Sequence, residues 1–101
     1  MTSSPIDLPP VLAKDVGFGD RTLIVALADG RNLIVPIEWY PRLAHATPAE
    51  RANWRLIGRG QGVHWPDLDE DISVEGLLAG HRSGESSKSL GRWLEVRTTQ
   101  Q

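Results

Sequence analysis

The sequence predicts an α+β fold, an antiparallel β-meander plus a second β-pair with two or three short helices. Three observations carry that prediction. Residues 11–36 hold β-branched apolar runs separated by Asp and Gly turns; residues 37–53 switch to helix-start signals; residues 54–65 return to strand composition around a glycine-rich connection.

Pro5, Pro9 and Pro10 withhold donors and fix φ, so residues 1–10 are expected to form a flexible lead-in, with a single domain over 11–80. Val16 to Phe18 reads as a short strand, Gly19-Asp20 as a turn and Arg21 to Leu27 as a β-branched strand. Asp29-Gly30 fits a type I′ turn, and Asn32 to Pro36 returns as the third strand. A two-residue turn there pairs Ala28 with Arg31, Val25 with Ile34 and Ile24 with Val35. In that register both faces of the ribbon are apolar, with Leu23, Val25 and Ile34 on one and Ile24, Ala26, Leu33 and Val35 on the other. One face would pack on the chain's own helix and the other on a second copy or a partner, which is the argument for a homodimer.

After Pro36, Trp39 to Leu43 reads as a short helical turn. Thr47-Pro48-Ala49-Glu50 matches a capping box, with Thr47 as N-cap, Pro48 at the first helical position and Glu50 reaching back. That helix is expected to end near Asn53, before a strand at Trp54 to Ile57. Gly58, Gly60 and Gly62 then form a hairpin connection rather than a phosphate cradle, because Val63-His64-Trp65 follows as a strand and not as a helix start. Asp71 or Ser73 caps a last short helix through Leu78, which Gly80 stops. Residues 81–89 read as a linker, and residues 90–97 as an amphipathic segment in which Leu90, Trp93 and Leu94 share a face. Such a segment either folds back on the domain or is offered to a partner.

At 101 residues and 40% hydrophobic content, the chain can bury one core without metal or disulfide help. Eleven basic against thirteen acidic side chains give a net charge of -2, which removes the bulk attraction to phosphate that a general nucleic-acid binder uses. No cysteine is present, so disulfides, thiolate zinc sites and thiol nucleophiles are excluded. The N-terminus lacks a basic leader and no run reaches the ~18 apolar residues of a membrane span. A cytoplasmic protein without membrane contact is expected.

The acids Asp67, Asp69, Glu70 and Asp71 beside His64 invite a metal, but a calcium loop of the EF-hand kind needs glycine and glutamate where Ile72 and Leu78 stand. No metal and no cofactor is therefore expected. His45, His64 and His81 lie in separate contexts and none accompanies a nucleophile motif, so no catalytic residue is assigned and the chain is read as a non-enzyme.

Val16-x-Phe18, Asp29-Gly30-Arg31, Val35 to Leu43, Glu50-Arg51-x-Asn53-Trp54-x-x-Ile57-Gly58 and Gly62 to Ile72, with its His64-Trp65-Pro66-x-Leu68-Asp69-Glu70-Asp71-Ile72 stretch, are quite specific. From about Val11 to Leu78 the chain resembles a small bacterial family, the domain of unknown function family 2442. The resemblance implies a compact α+β domain. It also implies gene neighbourhoods that look like toxin-antitoxin modules, with a small protein partner encoded nearby. Some longer members carry a helix-turn-helix reader after this domain, which is not expected here.

The function expected is a non-enzymatic protein-interaction module, antitoxin-like in a bacterial two-protein system. Aromatic and arginine residues dominate interface hot spots, so Trp39, Tyr40, Arg42, Trp54 and Trp65 in the domain, with Leu90, Trp93 and Leu94 in the tail, are the expected contact residues. The alternative is a nucleic-acid or transcription-associated binding domain using Arg42, Arg51, Arg55 and Arg59. A third reading places a small ligand between the Trp39-Tyr40 corner and the Trp65-Pro66 turn.

Overall fold

The computed structural model describes residues 10–99, so most of the expected lead-in lies outside the described residues. Strands β1 (Ala13–Gly19), β2 (Thr22–Leu27) and β3 (Asn32–Pro36) form one antiparallel meander. A 3₁₀ turn (Ile37–Trp39), α1 (Pro41–Ala44) and α2 (Pro48–Ala52) follow. The second sheet comprises β4 (Arg55–Ile57), β5 (Gly62–Trp65) and β6 (Glu70–Ser73), so the expected β-pair gains a third strand. Helices α3 (Val74–Leu78) and α4 (Ser87–Thr99) complete the fold. Among the described residues, no helix is long and apolar enough to cross a membrane.

The β2–β3 register differs from the expected one by a single residue. Val25 pairs with Leu33 and Ile24 with Ile34. The loop contains three residues rather than two. Leu27 donates to the Arg31 carbonyl at 2.7 Å, and within the loop only Gly30 has a positive φ, of 96°. Asp29 accepts from the Arg31 backbone N–H at 3.0 Å, a local bond that suits a type I turn with one left-handed residue after it.

That one residue moves the apolar side chains of β3. Leu33 and Val35 now share the inner face with Leu23, Val25 and Leu27, whereas the outer face holds Ile24, Ala26 and Ile34 among Asp15, Gly17 and Asn32. Ile34 is 61% exposed and pairs directly with the half-buried Ile24, a small apolar pair set among Asp15, Gly17 and Asn32. The two-sided apolar ribbon is thereby corrected, and with it the sheet-based argument for a second copy.

The first turn also moves by one residue. It is Asp20-Arg21, with Arg21 at φ 60°, and the strand starts at Thr22.

One hydrophobic cluster draws on both sheets. Leu23, Val25 and Leu27 meet Val63, Trp65 and Ile72, with Leu43, Leu68, Val74 and Leu77 closing the sides. Phe18 meets Trp65 edge to face at 6.5 Å. The sheets also join through the backbone, where Ala13 donates to the Gly60 carbonyl at 2.8 Å. Gly60 is required there, because its φ is 114° and an added Cβ would overlap the Ala13 carbonyl.

The expected helix caps are present. Thr47 and Glu50 form the capping box, with bonds of 3.1 and 2.9 Å. Ser73, rather than Asp71, caps α3 by accepting from Gly76 N–H at 2.8 Å. At its other end His81 N–H reaches the Gly76 carbonyl and Gly80 N–H reaches that of Leu77, a Schellman closure around Gly80 at φ 78°.

Candidate interaction surface

The C-terminal helix starts at Ser87, inside the stretch read as a linker, and lies against the domain. Its contacts build up from Arg42 at the start of α1. Pro41 and the 3₁₀ turn set α1 at the end of the first sheet, which aims the Arg42 guanidinium toward the tail. Its Nε and Nη2 donate to the two Glu85 carboxylate oxygens at 2.8 and 2.9 Å, and Nη1 donates to the Leu68 carbonyl at 2.8 Å. The same guanidinium lies 5.2 Å from the Trp93 ring.

The Trp93 ring also meets the Arg97 guanidinium, at 4.5 Å. Arg97 in turn forks onto Glu50, with both bonds at 2.8 Å. Glu50 serves two structures at once, since its carboxylate also accepts from the Thr47 N–H. The Arg97 guanidinium holds the Glu50 carboxyl down at about 2, with the Thr47 backbone bond adding to the effect.

Closer to the domain, Tyr40 OH donates to the His81 carbonyl at 2.8 Å, Ser83 N–H donates to the Trp39 carbonyl at 3.0 Å, and Arg82 lies 4.7 Å from the Trp39 ring.

Of the expected contact residues, Trp39, Arg42, Leu90, Trp93 and Leu94 fall along the tail and its seam with the domain, with the two leucines half-buried. Trp65 and Tyr40 are corrected. Trp65 is fully buried and donates its indole N–H to the Arg51 carbonyl at 3.0 Å, so it is a core pillar with no surface to offer. Tyr40 is 5% exposed, and burial raises its hydroxyl's pKa above the ordinary value. Trp54 faces elsewhere, lining a groove of about 330 Å³ with Phe18, Pro48 and Arg51.

Glu50, Glu85 and Arg97 were not in the expected set. Glu50 carries a local signal, the capping box, but nothing near it in sequence points to Arg97.

The arginines of the nucleic-acid reading separate into two pairs. Arg42 is committed to Glu85. Arg51 donates to the Leu43 and Ala44 carbonyls at 2.9 and 3.0 Å and lies 5.5 Å from the Phe18 ring. Arg55 and Arg59 are exposed on the β4–β5 hairpin. Arg55 pairs across the strands with His64, whose Nδ1 contacts the Asp71 carboxylate, so an acid stands in the same row.

The acid run disperses. Asp67 accepts from the Asn53 side chain, Asp71 pairs with His64, and Asp69 takes a left-handed backbone at φ 51°. Glu70 points inward opposite Trp65. Burial pushes its carboxyl up to about 7, against the opposing pull of Arg42. It lines a cavity of about 220 Å³ with Tyr40, Ile72, His81, Arg82 and Ser83. Among the described residues, no three His, Asp or Glu side chains gather where they could hold a metal ion. A larger open cleft of about 710 Å³ lies beside the first turn, lined in part by Asp20, Arg21, Glu38 and Arg51.

Comparison with known proteins places this arrangement among uncharacterised relatives. Residues 13–83 match the family described as "Protein of unknown function (DUF2442)". A protein of unknown function from Rhodospirillum rubrum, known from a crystal structure, superposes with a TM-score of 0.65 at 26% identity, covering 76% of this chain and 95% of that one. An uncharacterised protein from Chromobacterium violaceum, solved by NMR, gives a TM-score of 0.63 at 26% identity over 80% of this chain and 74% of that one. No curated protein matches.

Proposed function

Since the chain belongs to the DUF2442 family, whose matched domain ends at residue 83, we propose that this domain is a non-enzymatic protein-interaction module and that α4 occupies its contact groove. One observation carries the reading. A segment outside the matched domain is held by two charge-matched forks of opposite sense, Glu85 on Arg42 and Arg97 on Glu50, with Trp93 between them. A bidentate arginine–carboxylate pair beside a tryptophan is the chemistry that concentrates energy at protein interfaces. The Arg42 and Glu50 side chains are only 19% and 21% exposed beneath the tail.

The more specific version makes this chain the antitoxin-like half of a bacterial pair that covers a partner's working surface. Co-expression with the product of the adjacent gene, followed by size exclusion, tests it. A shared peak that Arg42→Glu splits supports the groove; two separate peaks for the unaltered proteins remove the reading, and toxicity without relief removes the antitoxin version.

A further inference from the structure

We propose that the groove accepts α4 from a second copy of this chain, so that two copies exchange their C-terminal helices reciprocally. The proposal rests on the reading of that groove as an interaction surface and names its occupant. Three features favour exchange.

The first is what holds the helix. Among the described side chains of α4 none belongs to the fully buried core; Trp93 packs against its edge, and the tail is anchored by the forks at Glu85 and Arg97 and the two guanidinium contacts on Trp93. Releasing it exposes the rim of the domain and the edge of the core that Trp93 covers. A domain of this family is matched without it, over residues 13–83.

The second is the connection. Ser83 N–H is tied to the Trp39 carbonyl and Glu85 to Arg42, and a single local bond, from Glu85 N–H to the Ser83 hydroxyl at 3.1 Å, spans Gly84 between them. A Cβ at Gly84 would meet nothing within 4 Å, and residues 81–86 form no regular secondary structure. A rotation at that glycine gives up that one local bond and redirects everything from Glu85 onward, while the domain keeps its Ser83–Trp39 and Tyr40–His81 bonds.

The third is complementarity. The groove carries a cation at one end and an anion at the other, in the order that matches Glu85 and Arg97 of the tail. Every second copy presents the same segment with the same polarity, so each bond made within one chain is available unchanged between two.

Reversing charges separates the alternatives. Glu50→Arg alone opposes Arg97, and Arg97→Glu alone opposes Glu50, so each variant is expected to be a monomer with an undocked tail. Mixed, they restore both pairs through exchange. In one groove the introduced arginine of the first variant meets the introduced glutamate of the second, and in the other groove the native Glu50 meets the native Arg97. Light scattering and native mass spectrometry are expected to show a 1:1 dimer in the mixture and none in either variant alone.

The double variant Glu50→Arg, Arg97→Glu is expected to re-dock its tail within one chain, read as slowed amide exchange over residues 87–97. If the double variant re-docks and the mixture stays monomeric at high concentration, exchange is overturned while the groove stands. If the double variant does not re-dock, the groove reading falls as well. Because Glu50 also caps α2, the same design at Arg42→Glu with Glu85→Arg provides a second set that leaves that cap intact. A mixture of those two variants that remains monomeric likewise overturns exchange.

Discussion

Glu70 and Glu50 titrate in opposite directions, which makes them the clearest single-residue test of the structure. Burial opposite Trp65 raises the Glu70 carboxyl from 4.5 to about 7. A raised folded-state value means that the stability contribution is complete below about 4.5 and is lost as pH rises through about 7. Urea melts at pH 5 and pH 8 are expected to show wild type losing stability over that interval and Glu70→Gln losing less. Glu50 is lowered from 4.5 to about 2 by Arg97, so its contribution is present above about 4.5 and disappears as pH falls through about 2. Glu50→Gln is expected to flatten the acid limb. At Trp65, which is 0% exposed, replacement by alanine is expected to cost ~3–5 kcal/mol in chemical denaturation through the cavity left behind. That tryptophan shows the limit of reading residues one at a time. Its type suggested a hot spot, and only the pairing of β5 with two neighbours shows that it points inward.

At the scale of elements, much was legible because the determining groups lie within a few positions of each other. Thr47 and Glu50 are three apart and define a helix start whatever surrounds them. Thr47→Ala is expected to cost about 1 kcal/mol, measured by thermal denaturation, through loss of the cap. Ser73 and Gly80 likewise bracket α3 by local bonds. The β2–β3 hairpin was equally visible, but its register turned on the backbone angle of Asp29. Asp-Gly suits both a two-residue loop and a three-residue one. Choosing between them by turn preference alone displaces β3 by one residue and puts Leu33 and Val35 on the outer face, where the chain has Ile34 instead. The third strand of the second sheet was obscured for a different reason. Glu70 to Ser73 contains two acids and a serine and has no β-branched residue except Ile72, yet it pairs fully with β5.

For the whole molecule, the bonds that place the tail were invisible in the sequence. Arg42 and Glu85 are 43 residues apart, and Arg97 and Glu50 are 47 apart, with no pattern linking them. The tail's amphipathic spacing does not say where it docks, and long-range charge pairing sets that place. Ion pairs at a partly exposed seam are screened by salt, whereas a buried apolar core is not. Raising salt from about 0.05 to 1 M, over which the screening length falls several-fold, is expected to accelerate amide exchange across residues 87–97 while leaving β2 and β5 protected. Equal acceleration across the chain would show instead that α4 and the domain open together.

The Gly60–Ala13 seam also bears on how fast this chain reaches its native state. Each sheet is a meander whose partners are neighbours in sequence, so both can assemble from nearby segments, while the bond between Ala13 and Gly60 closes a loop of almost half the chain. Docking of two preformed ribbons is then the slow, late event. Gly60→Ala, which crowds that seam, is expected to destabilise the native state chiefly by slower refolding, visible as a lowered refolding arm with a smaller change in the unfolding arm in stopped-flow kinetics.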